Sequence, residues 1–245
     1  MENPEPSAVK FASVAASIRA TAGRAVSTSN KKMPGSTFAT SPFHCATGAK
    51  LRTVEGSVCN KCYAIRLCAT RPSVKQGYET SEFVLRRIAS LERSDAKRVQ
   101  FVHGMAHQIT TACEKEGEHY HRWFDAGDLY SIETLSLIID IVLLTPDIAH
   151  WLPTRELGIV RQFAKLSGAT LANISTVLPA NLVVRISSTM IGDAPRSGCE
   201  HTSTVHRKNS TISGHGCPAK YQSGSCGDCR ACWDPGVSNS SYEYH

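Results

Sequence analysis

Apolar positions recur at helical spacing through the middle of the chain. Within residues 76–98 the recurring apolar side chains are Phe83, Val84, Ile88 and Leu91. Because side chains three and four positions apart share one face of a helix, this spacing predicts an amphipathic helix, and the pattern continues over residues 99–116. Further helices are predicted over residues 131–144 and 156–167, and a short one over residues 9–25.

Short apolar runs between those helices predict strands. They cover residues 38–45, 119–124, 149–152, 171–175 and 182–186. Strands that alternate with helices form parallel sheets, and a chain of 245 residues lies within the size of a single α/β barrel. The expected fold is therefore α/β, a partial or complete (β/α) barrel with parallel strands and long cysteine-rich loops.

Composition divides the chain into two parts. Residues 1–32 are rich in alanine, serine and charge and are predicted to form an N-terminal arm. Residues 33–245 are predicted to form one barrel-like domain that carries an N-terminal and a C-terminal cysteine-rich, metal-binding loop. The longest apolar run, residues 135–144, is too short to span a membrane and is interrupted by Asp140, so no membrane association is expected.

Eight of the ten cysteines fall into two groups, and the C-terminal group has the more specific spacing. Its members are Cys217, Cys226, Cys229 and Cys232. Four thiolates can bind either one tetrahedral zinc ion or a four-iron cluster. The last three cysteines form C-x2-C-x2-C, and the first precedes Pro218, an arrangement closer to a ferredoxin ligand run than to two zinc knuckles. An iron–sulfur cluster is favoured, and zinc is the alternative.

The N-terminal group is also predicted to bind metal. Its members are Cys45, Cys59, Cys62 and Cys68. The first twenty residues lack the pattern of a signal peptide, so a reducing, cytoplasmic compartment is expected, where C-x2-C pairs bind metal or carry out redox chemistry. Of the two remaining cysteines, Cys113 is expected to be a buried apolar residue, whereas Cys199 could replace a cluster ligand.

A modest positive charge adds little to this interpretation. The net charge is +6 and the calculated pI is about 8.8. These values suit an anionic substrate or nucleic acid, but they suit an ordinary solvated surface equally well. The basic residues occur in pairs that are not interleaved with aromatic residues, so the sequence provides only weak support for a nucleic-acid partner.

Polar side chains follow the predicted strands, at the edge where the active face of such folds lies. The candidate catalytic residues are Asp125, Asp128 and Arg155. The carboxylates could orient a hydroxyl or amine, and the guanidinium could bind a carboxylate or phosphate bidentately. Alternatively, the two aspartates cap turns or helices, and Arg155 forms an ion pair with Glu156. Arg185 and Glu156 are interpreted as structural.

Three segments together resemble a phage-encoded family named after gene product 88. They are SVCNKCYA, RWFDAGDL and HWLPTRE. The CNKCYA segment alone is similar to the cluster loop of radical S-adenosylmethionine enzymes, in which three cysteines leave one iron open for the cofactor. The resemblance implies an iron–sulfur protein on a barrel-like scaffold, encoded by a virus or an integrated element and located in the cytoplasm of a bacterial host. Tyr63 and Ser187 are the candidate cofactor-binding residues.

Three functions follow from these observations. The first is an iron–sulfur protein with a redox or radical S-adenosylmethionine-like role on a small-molecule substrate or a redox partner. The second is a zinc-stabilised module that binds nucleic acid or protein. The third is a pure electron carrier or cluster-based sensor. A fourth thiolate from Cys68 would close the iron position that S-adenosylmethionine needs, whereas three thiolates would leave it open.

Overall fold

A parallel sheet of seven strands forms the centre of the molecule, in a computed structural model that describes residues 9–27 and 32–244. The strands are β1 (Ser36–Phe38), β2 (Tyr120–Trp123), β3 (Ala149–Thr154), β4 (Leu182–Ser187), β5 (Thr202–His206), β6 (His215–Gly216) and β7 (Asn239–Glu243). Their order is β1-β2-β3-β4-β5-β7-β6, and all neighbouring pairs are parallel. The predicted α/β class with parallel strands is confirmed. The sheet is open and does not close into a complete barrel.

Seven α-helices connect or flank these strands in the described residues. They are α1 (Val14–Ala20), α2 (Ala46–Leu51), α3 (Tyr63–Thr70), α4 (Pro72–Ala89), α5 (Ala96–Glu116), α6 (Ile132–Leu143) and α7 (Leu157–Leu166). Short 3₁₀ helices cover Pro42–His44, Ile174–Val177 and Pro218–Tyr221. None of the described helices is long and apolar enough to cross a membrane.

The two faces of the sheet differ in what covers them. Side chains alternate along each strand, so Trp123, Leu152 and Val184 point to one face, where they join the apolar core that α4 to α7 complete. Trp151 points to the opposite face, where its ring packs edge-on against Trp233 at a centroid distance of 5.3 Å. The C-terminal segment therefore covers the face of the sheet that the helices leave free.

Arg185 holds that C-terminal segment in place. Its side chain is fully buried on the second face of β4. The guanidinium donates five hydrogen bonds, of 2.7 to 3.4 Å, to the backbone carbonyls of Thr202, Ala231, Cys232, Asp234 and Val237. Burial lowers the pKa of this guanidinium. These contacts fit the structural role expected for Arg185, although its partners are backbone carbonyls and not a neighbouring side chain.

Several element predictions were wrong in their boundaries or type, and the strand expected over residues 38–45 is one, because β1 ends at Phe38 and Pro42–His44 form a 3₁₀ helix. The helix expected over residues 76–98 ends at Ala89, because Asp95 accepts a hydrogen bond from the Lys97 amide at 2.8 Å and starts α5 as a separate helix. Residues 171–175 do not form a strand. Asn173 accepts hydrogen bonds from the amide and hydroxyl of Thr170 at 2.8 and 2.6 Å, and this turn leads into a 3₁₀ helix.

The N-terminal segment contacts the rest of the molecule through α1. Gln108 of α5 donates a hydrogen bond of 3.0 Å to the Thr21 hydroxyl, and the Val26 amide donates to the Gln108 carbonyl oxygen at 3.1 Å. Parts of the predicted arm, residues 1–8 and 28–31, lie outside the described residues. Within the arm, the helix expected over residues 9–25 spans only Val14–Ala20.

Candidate metal and ligand site

Three of the four N-terminal cysteines line a single pocket of about 480 Å³ on the second face of the sheet. They are Cys45, Cys59 and Cys62, whereas Cys68 is absent from the pocket wall. The five predicted catalytic and cofactor-binding residues also line this pocket: Tyr63, Asp125, Asp128, Arg155 and Ser187. The structure thus brings together residues that are separated by up to 142 positions in sequence.

Local backbone structure places two of these cysteines at the start of helices. Cys45 immediately precedes α2, and Cys62 immediately precedes α3. Glu156 holds the first turn of α2, since its two carboxylate oxygens accept from the amide and the hydroxyl of Thr47, both at 2.8 Å. The partial positive charge at a helix N-terminus favours a thiolate. Glu156 therefore positions the cysteine loop and does not pair with Arg155 in the described structure.

Gly48 leaves the space in which the cysteine side chains lie. A Cβ added at this glycine would stand 2.9 Å from the Cβ of Cys45, 3.9 Å from its Sγ and 3.7 Å from the Sγ of Cys59. A methyl group there would fill the space between the two sulfurs. This absence of a side chain beside converging thiols is an arrangement that fits a metal or cluster site.

Two thiols of the pocket, those of Cys45 and Cys59, have raised pKa values. Burial, followed by the nearby charges of Asp128 and of the other two thiols, raises the pKa of Cys45. Burial also raises the pKa of Cys59, although the Arg155 guanidinium opposes this change. These thiols are therefore protonated near neutral pH in the absence of metal. Binding of a metal centre would have to displace those protons.

The loop after β2 presents both aspartates to the pocket. Phe124 has a left-handed backbone with φ of 52°, and Gly127 has φ of 84°. Gly127 also packs so tightly that a side chain there would collide with Thr40. A left-handed conformation at a buried phenylalanine is strained, and such strain is concentrated at functional sites. The DAGD segment is thus held in one compact turn.

Asp128 is tied to the end of β3. One carboxylate oxygen accepts from the Thr154 hydroxyl at 2.5 Å and from the Leu129 amide at 2.8 Å, and the other accepts from the Arg155 amide at 3.0 Å. Burial raises the pKa of Asp128 to about 6, against the opposing effect of these hydrogen bonds. Asp128 therefore joins two strand ends, a structural contact that differs from the turn or helix cap considered as its alternative.

Asp125 has more freedom to contact a ligand. Its Oδ2 accepts only a long hydrogen bond of 3.4 Å from the Thr37 hydroxyl, and its Oδ1 is buried without a partner. The Tyr63 hydroxyl donates to the backbone carbonyl of Asp125. Nearby, the Arg155 Nε donates to the Ser188 carbonyl at 3.0 Å, which leaves its terminal nitrogens available. Asp125 and Arg155 are the predicted residues best placed to hold a substrate.

The C-terminal cysteines form a second group. Burial and the charges of Cys232, Cys217 and Cys229 raise the pKa of Cys226 to about 11, which places the four thiols within electrostatic reach of each other. The Sγ of Cys229 lies 3.3 Å from the Nε2 of His215. The Tyr242 hydroxyl lies 3.1 Å from the Sγ of Cys232 and also lines the pocket.

All ten cysteines are unpaired thiols. Within residues 9–27 and 32–244, no group of three or more histidine, cysteine, aspartate or glutamate side chains is arranged to hold a metal ion. The metal ligands therefore stay predictions. Cys113 is buried in the apolar core, as its isolation in sequence suggested. Cys199 lines a different hollow beside Arg161 and Arg196, so it lies apart from the N-terminal group.

The family of the chain follows from comparison with known sequences. The family model described as Gene product 88 matches residues 16–235. The chain belongs to the gene product 88 family. No curated protein and no solved structure matches this family member. The resemblance of its CNKCYA segment to radical S-adenosylmethionine enzymes is not supported by these comparisons and stays a prediction.

Sequence reasoning missed several residues of this family member's pocket. Arg122, Trp151 and Tyr242 all line it from the second face of the sheet. Arg122 lies opposite Trp151 in the register of β2 and β3, and its guanidinium stacks 4.5 Å above the Trp151 ring. The alternation of side chains in HRW and AHWLP was the available signal, because it places these two residues on one face.

Proposed function

We propose that this gene product 88 family member binds an iron–sulfur cluster through Cys45, Cys59 and Cys62 and performs a redox reaction on a small molecule beside it. The observation that carries the proposal is that these three cysteines line one pocket with Asp125 and Arg155. Three thiolates leave one iron of a four-iron cluster without a protein ligand. A substrate in this pocket would reach that position.

The position of Cys68 supports a set of three ligands. Its side chain is only 2% exposed, and it belongs to the core of α3 and not to the pocket. Its thiol is affected by burial and by the charges of Glu79, Cys62 and Lys75, two of which lie on α4. Cys68 was predicted to be a metal ligand, and its burial outside the pocket supports a packing role instead.

The three thiols are compatible with ligation of one cluster, although within the described residues no group of side chains is arranged to hold a single ion. Ligands of one zinc ion must converge on a point, whereas a four-iron core holds its thiolates further apart because irons and sulfides lie between them. The space beside Gly48 lies between the Cys45 and Cys59 sulfurs. A cluster is accordingly preferred over zinc for the N-terminal group.

The residues of the chain would have distinct roles in such a reaction. When bound, the cluster supplies one-electron chemistry. Arg155 offers its free terminal nitrogens to a carboxylate or phosphate, and Asp125 accepts a hydrogen bond from a hydroxyl or amine. Tyr63 and Ser187 contribute hydroxyl groups at the wall, and Asp128 keeps the ends of β2 and β3 together. S-adenosylmethionine is one ligand that an open iron could bind.

The C-terminal cysteines are proposed to hold a second metal centre. Four thiols and the contact with His215 would complete the coordination of either a second cluster or a structural zinc ion. Arg185 fixes this segment on the sheet through the Ala231 and Cys232 carbonyls. Full ligation would suit an electron-transfer or structural role, whereas catalysis would take place at the N-terminal group.

The first test is chemical analysis of protein that has been purified without oxygen. We expect a brown protein with broad absorption in the visible region and several irons and sulfides per chain. Cys59→Ser should lose about half of the iron if two clusters are present, whereas Cys68→Ser should retain it. Cys113→Ser, which changes a buried cysteine of the apolar core, is the matched control.

Two results would contradict the proposal. Colourless protein with one or two zinc ions per chain would support the zinc-stabilised module and would direct attention to nucleic-acid binding at varied salt. Equal loss of iron in Cys59→Ser and Cys68→Ser would show that four thiolates close the N-terminal cluster. In that case the electron carrier or sensor would be the better assignment.

The family membership is compatible with an origin in a phage or an integrated element. The proposal does not depend on that origin, because it rests on the arrangement of the cysteines around the pocket.

A further inference from the structure

The pocket wall contains polar groups that lack partners. Ten buried side-chain polar atoms in the described residues have no hydrogen-bond partner. Four of the ten belong to residues that line this pocket: Arg122 Nε, Asp125 Oδ1, Trp151 Nε1 and Ser188 Oγ. Because nearly all buried polar groups in proteins are paired, such a concentration around one cavity indicates that a ligand completes the pairing.

Charge on the pocket wall is predominantly positive. Five cationic side chains line it: Arg52, Lys61, Arg66, Arg122 and Arg155. Three carboxylates also line it, but two are already engaged. Glu243 forms an ion pair with Lys220, and Asp128 accepts the three hydrogen bonds described above. The pocket therefore favours a ligand that carries negative charge.

Arg122 is a half-buried cation of this pocket that forms no ion pair with a carboxylate in the described residues. Its guanidinium stacks on Trp151 at 4.5 Å, and its Nη1 contacts the Sδ of Met33 at 3.1 Å. A thioether is only a weak acceptor, and among the described residues no carboxylate pairs with Arg122. Because Arg122 has no ion pair to break, its half-buried guanidinium can bind an anion at little energetic cost.

We propose that the pocket binds a small anionic molecule through Arg122. The Ser188 hydroxyl donates a further hydrogen bond once it rotates towards the ligand, and a hydroxyl or amine of the same molecule donates to Asp125. The anionic group is a phosphate or a carboxylate, which offer the same acceptor chemistry to a guanidinium. The inference rests on the proposed function only in placing this molecule beside the cluster.

Calorimetric titration of the intact, anaerobically purified protein tests this inference. Pyrophosphate and ADP serve as phosphate probes, and glutamate serves as a carboxylate probe. Arg122→Gln should weaken binding of the preferred anion roughly tenfold or more, since it removes a charge-assisted hydrogen bond. Arg196→Gln makes the same change of charge in a separate hollow and should leave the affinity unchanged.

Asp125→Asn distinguishes the two parts of the proposed contact, which are the anion at Arg122 and the hydroxyl or amine at Asp125. Pyrophosphate has no hydroxyl or amine to donate, so its affinity should stay the same or rise when the negative charge is removed. ADP and glutamate do have such groups and should bind several-fold more weakly. Preference for ADP and pyrophosphate over glutamate would assign a phosphate ligand, and the reverse preference would assign a carboxylate. Circular dichroism of each variant checks that the fold is retained.

Three outcomes would overturn the inference. They are failure of every probe to bind the wild-type protein, equal weakening by Arg122→Gln and Arg196→Gln, and loss of iron in Arg122→Gln with unchanged probe affinity. The last outcome would assign Arg122 to balancing the charge of the cluster. Iron content measured on the same samples separates the two proposals, because binding without iron contradicts only the cluster, and iron without binding contradicts only the ligand.

Discussion

Replacing Arg185 by methionine should detach the C-terminal segment from the sheet. The guanidinium is the donor to five backbone carbonyls, and three of them, at Ala231, Cys232 and Val237, have no other donor in the described structure. The side chain is fully buried, so water does not replace these bonds unless the segment moves. Methionine has a similar length and fills much of the same space, which limits the change to the loss of donors.

The expected cost follows from these contacts. Leaving a buried polar group unsatisfied costs about 1–3 kcal/mol, so three carbonyls give a gross loss of about 3–9 kcal/mol. Removing a buried cation recovers several kcal/mol of desolvation, and a net loss of about 2–4 kcal/mol is expected. A domain has only about 5–15 kcal/mol of stability in total. Opening of the C-terminal segment alone would therefore be the cheapest response.

Hydrogen exchange and metal content together measure this response. In Arg185→Met, amides of residues 226–237 should exchange much faster, and the metal centre proposed for the C-terminal cysteines should be lost. Amides of α5 should keep their protection, and Arg196→Met, at an exposed arginine, should resemble the wild type. Unchanged protection and metal content in Arg185→Met would refute the assignment of Arg185 as the residue that fixes the segment.

Three further predictions concern other parts of the molecule. Gly48→Ala should lose iron from the proposed N-terminal site, because the new methyl would stand 2.9 Å from the Cβ of Cys45. Gly77→Ala, with open space around its Cβ, is the control and should retain iron and gain about 0.5–1 kcal/mol of folding stability. Equal iron content in both variants would contradict this interpretation of the site. Burial lowers the pKa of His150 to about 3 from the ordinary value of 6.5, so its neutral form is the native one. The stability this provides is complete above pH 6.5 and falls by about 1.4 kcal/mol per pH unit below it, until pH about 3. The difference in unfolding free energy between wild type and His150→Gln should therefore narrow between pH 7 and pH 5 in urea titrations, and a constant difference would show that the histidine is not buried neutral. Tyr242→Phe removes a hydroxyl that lies 3.1 Å from the Cys232 sulfur. Because hydrogen bonds to the sulfurs tune the potential of a cluster, redox titration should show a lower reduction potential for the proposed C-terminal cluster. An unchanged potential would show that this hydroxyl does not contact the thiolate.

Apolar patterning was sufficient to predict the half of the sheet that packs on helices. Strands β2, β3 and β4 carry alternating large apolar side chains, and α5, α6 and α7 carry helical stripes that face them. Because parallel strands end at a common edge, the polar residues after β2 and β3 were expected to meet, and the structure brings Asp125 and Arg155 to one pocket.

The other half of the sheet, β5 to β7, could not be predicted because its strands are polar. Strands β5 and β7 read TSTVH and NSSYE, and neither shows an apolar run. They are joined by side-chain hydrogen bonds, since the Thr202 hydroxyl donates to Asn239 at 2.9 Å and Asn239 donates to Thr204 at 3.0 Å. Spacing alone also could not show that Cys68, within α3, lies outside the pocket that the other three N-terminal cysteines line.

The two halves of the sheet should also differ in heat capacity. Unfolding β2 to β4 exposes apolar surface to water, which raises the heat capacity, whereas unfolding β5 to β7 exposes mainly hydroxyl and amide groups, which lowers it. The C-terminal half would then contribute little to the curvature of stability with temperature. Such a region can open as a separate cooperative unit while the helix-covered half stays folded. Such opening would give the proposed C-terminal metal centre a route of assembly that does not require global unfolding.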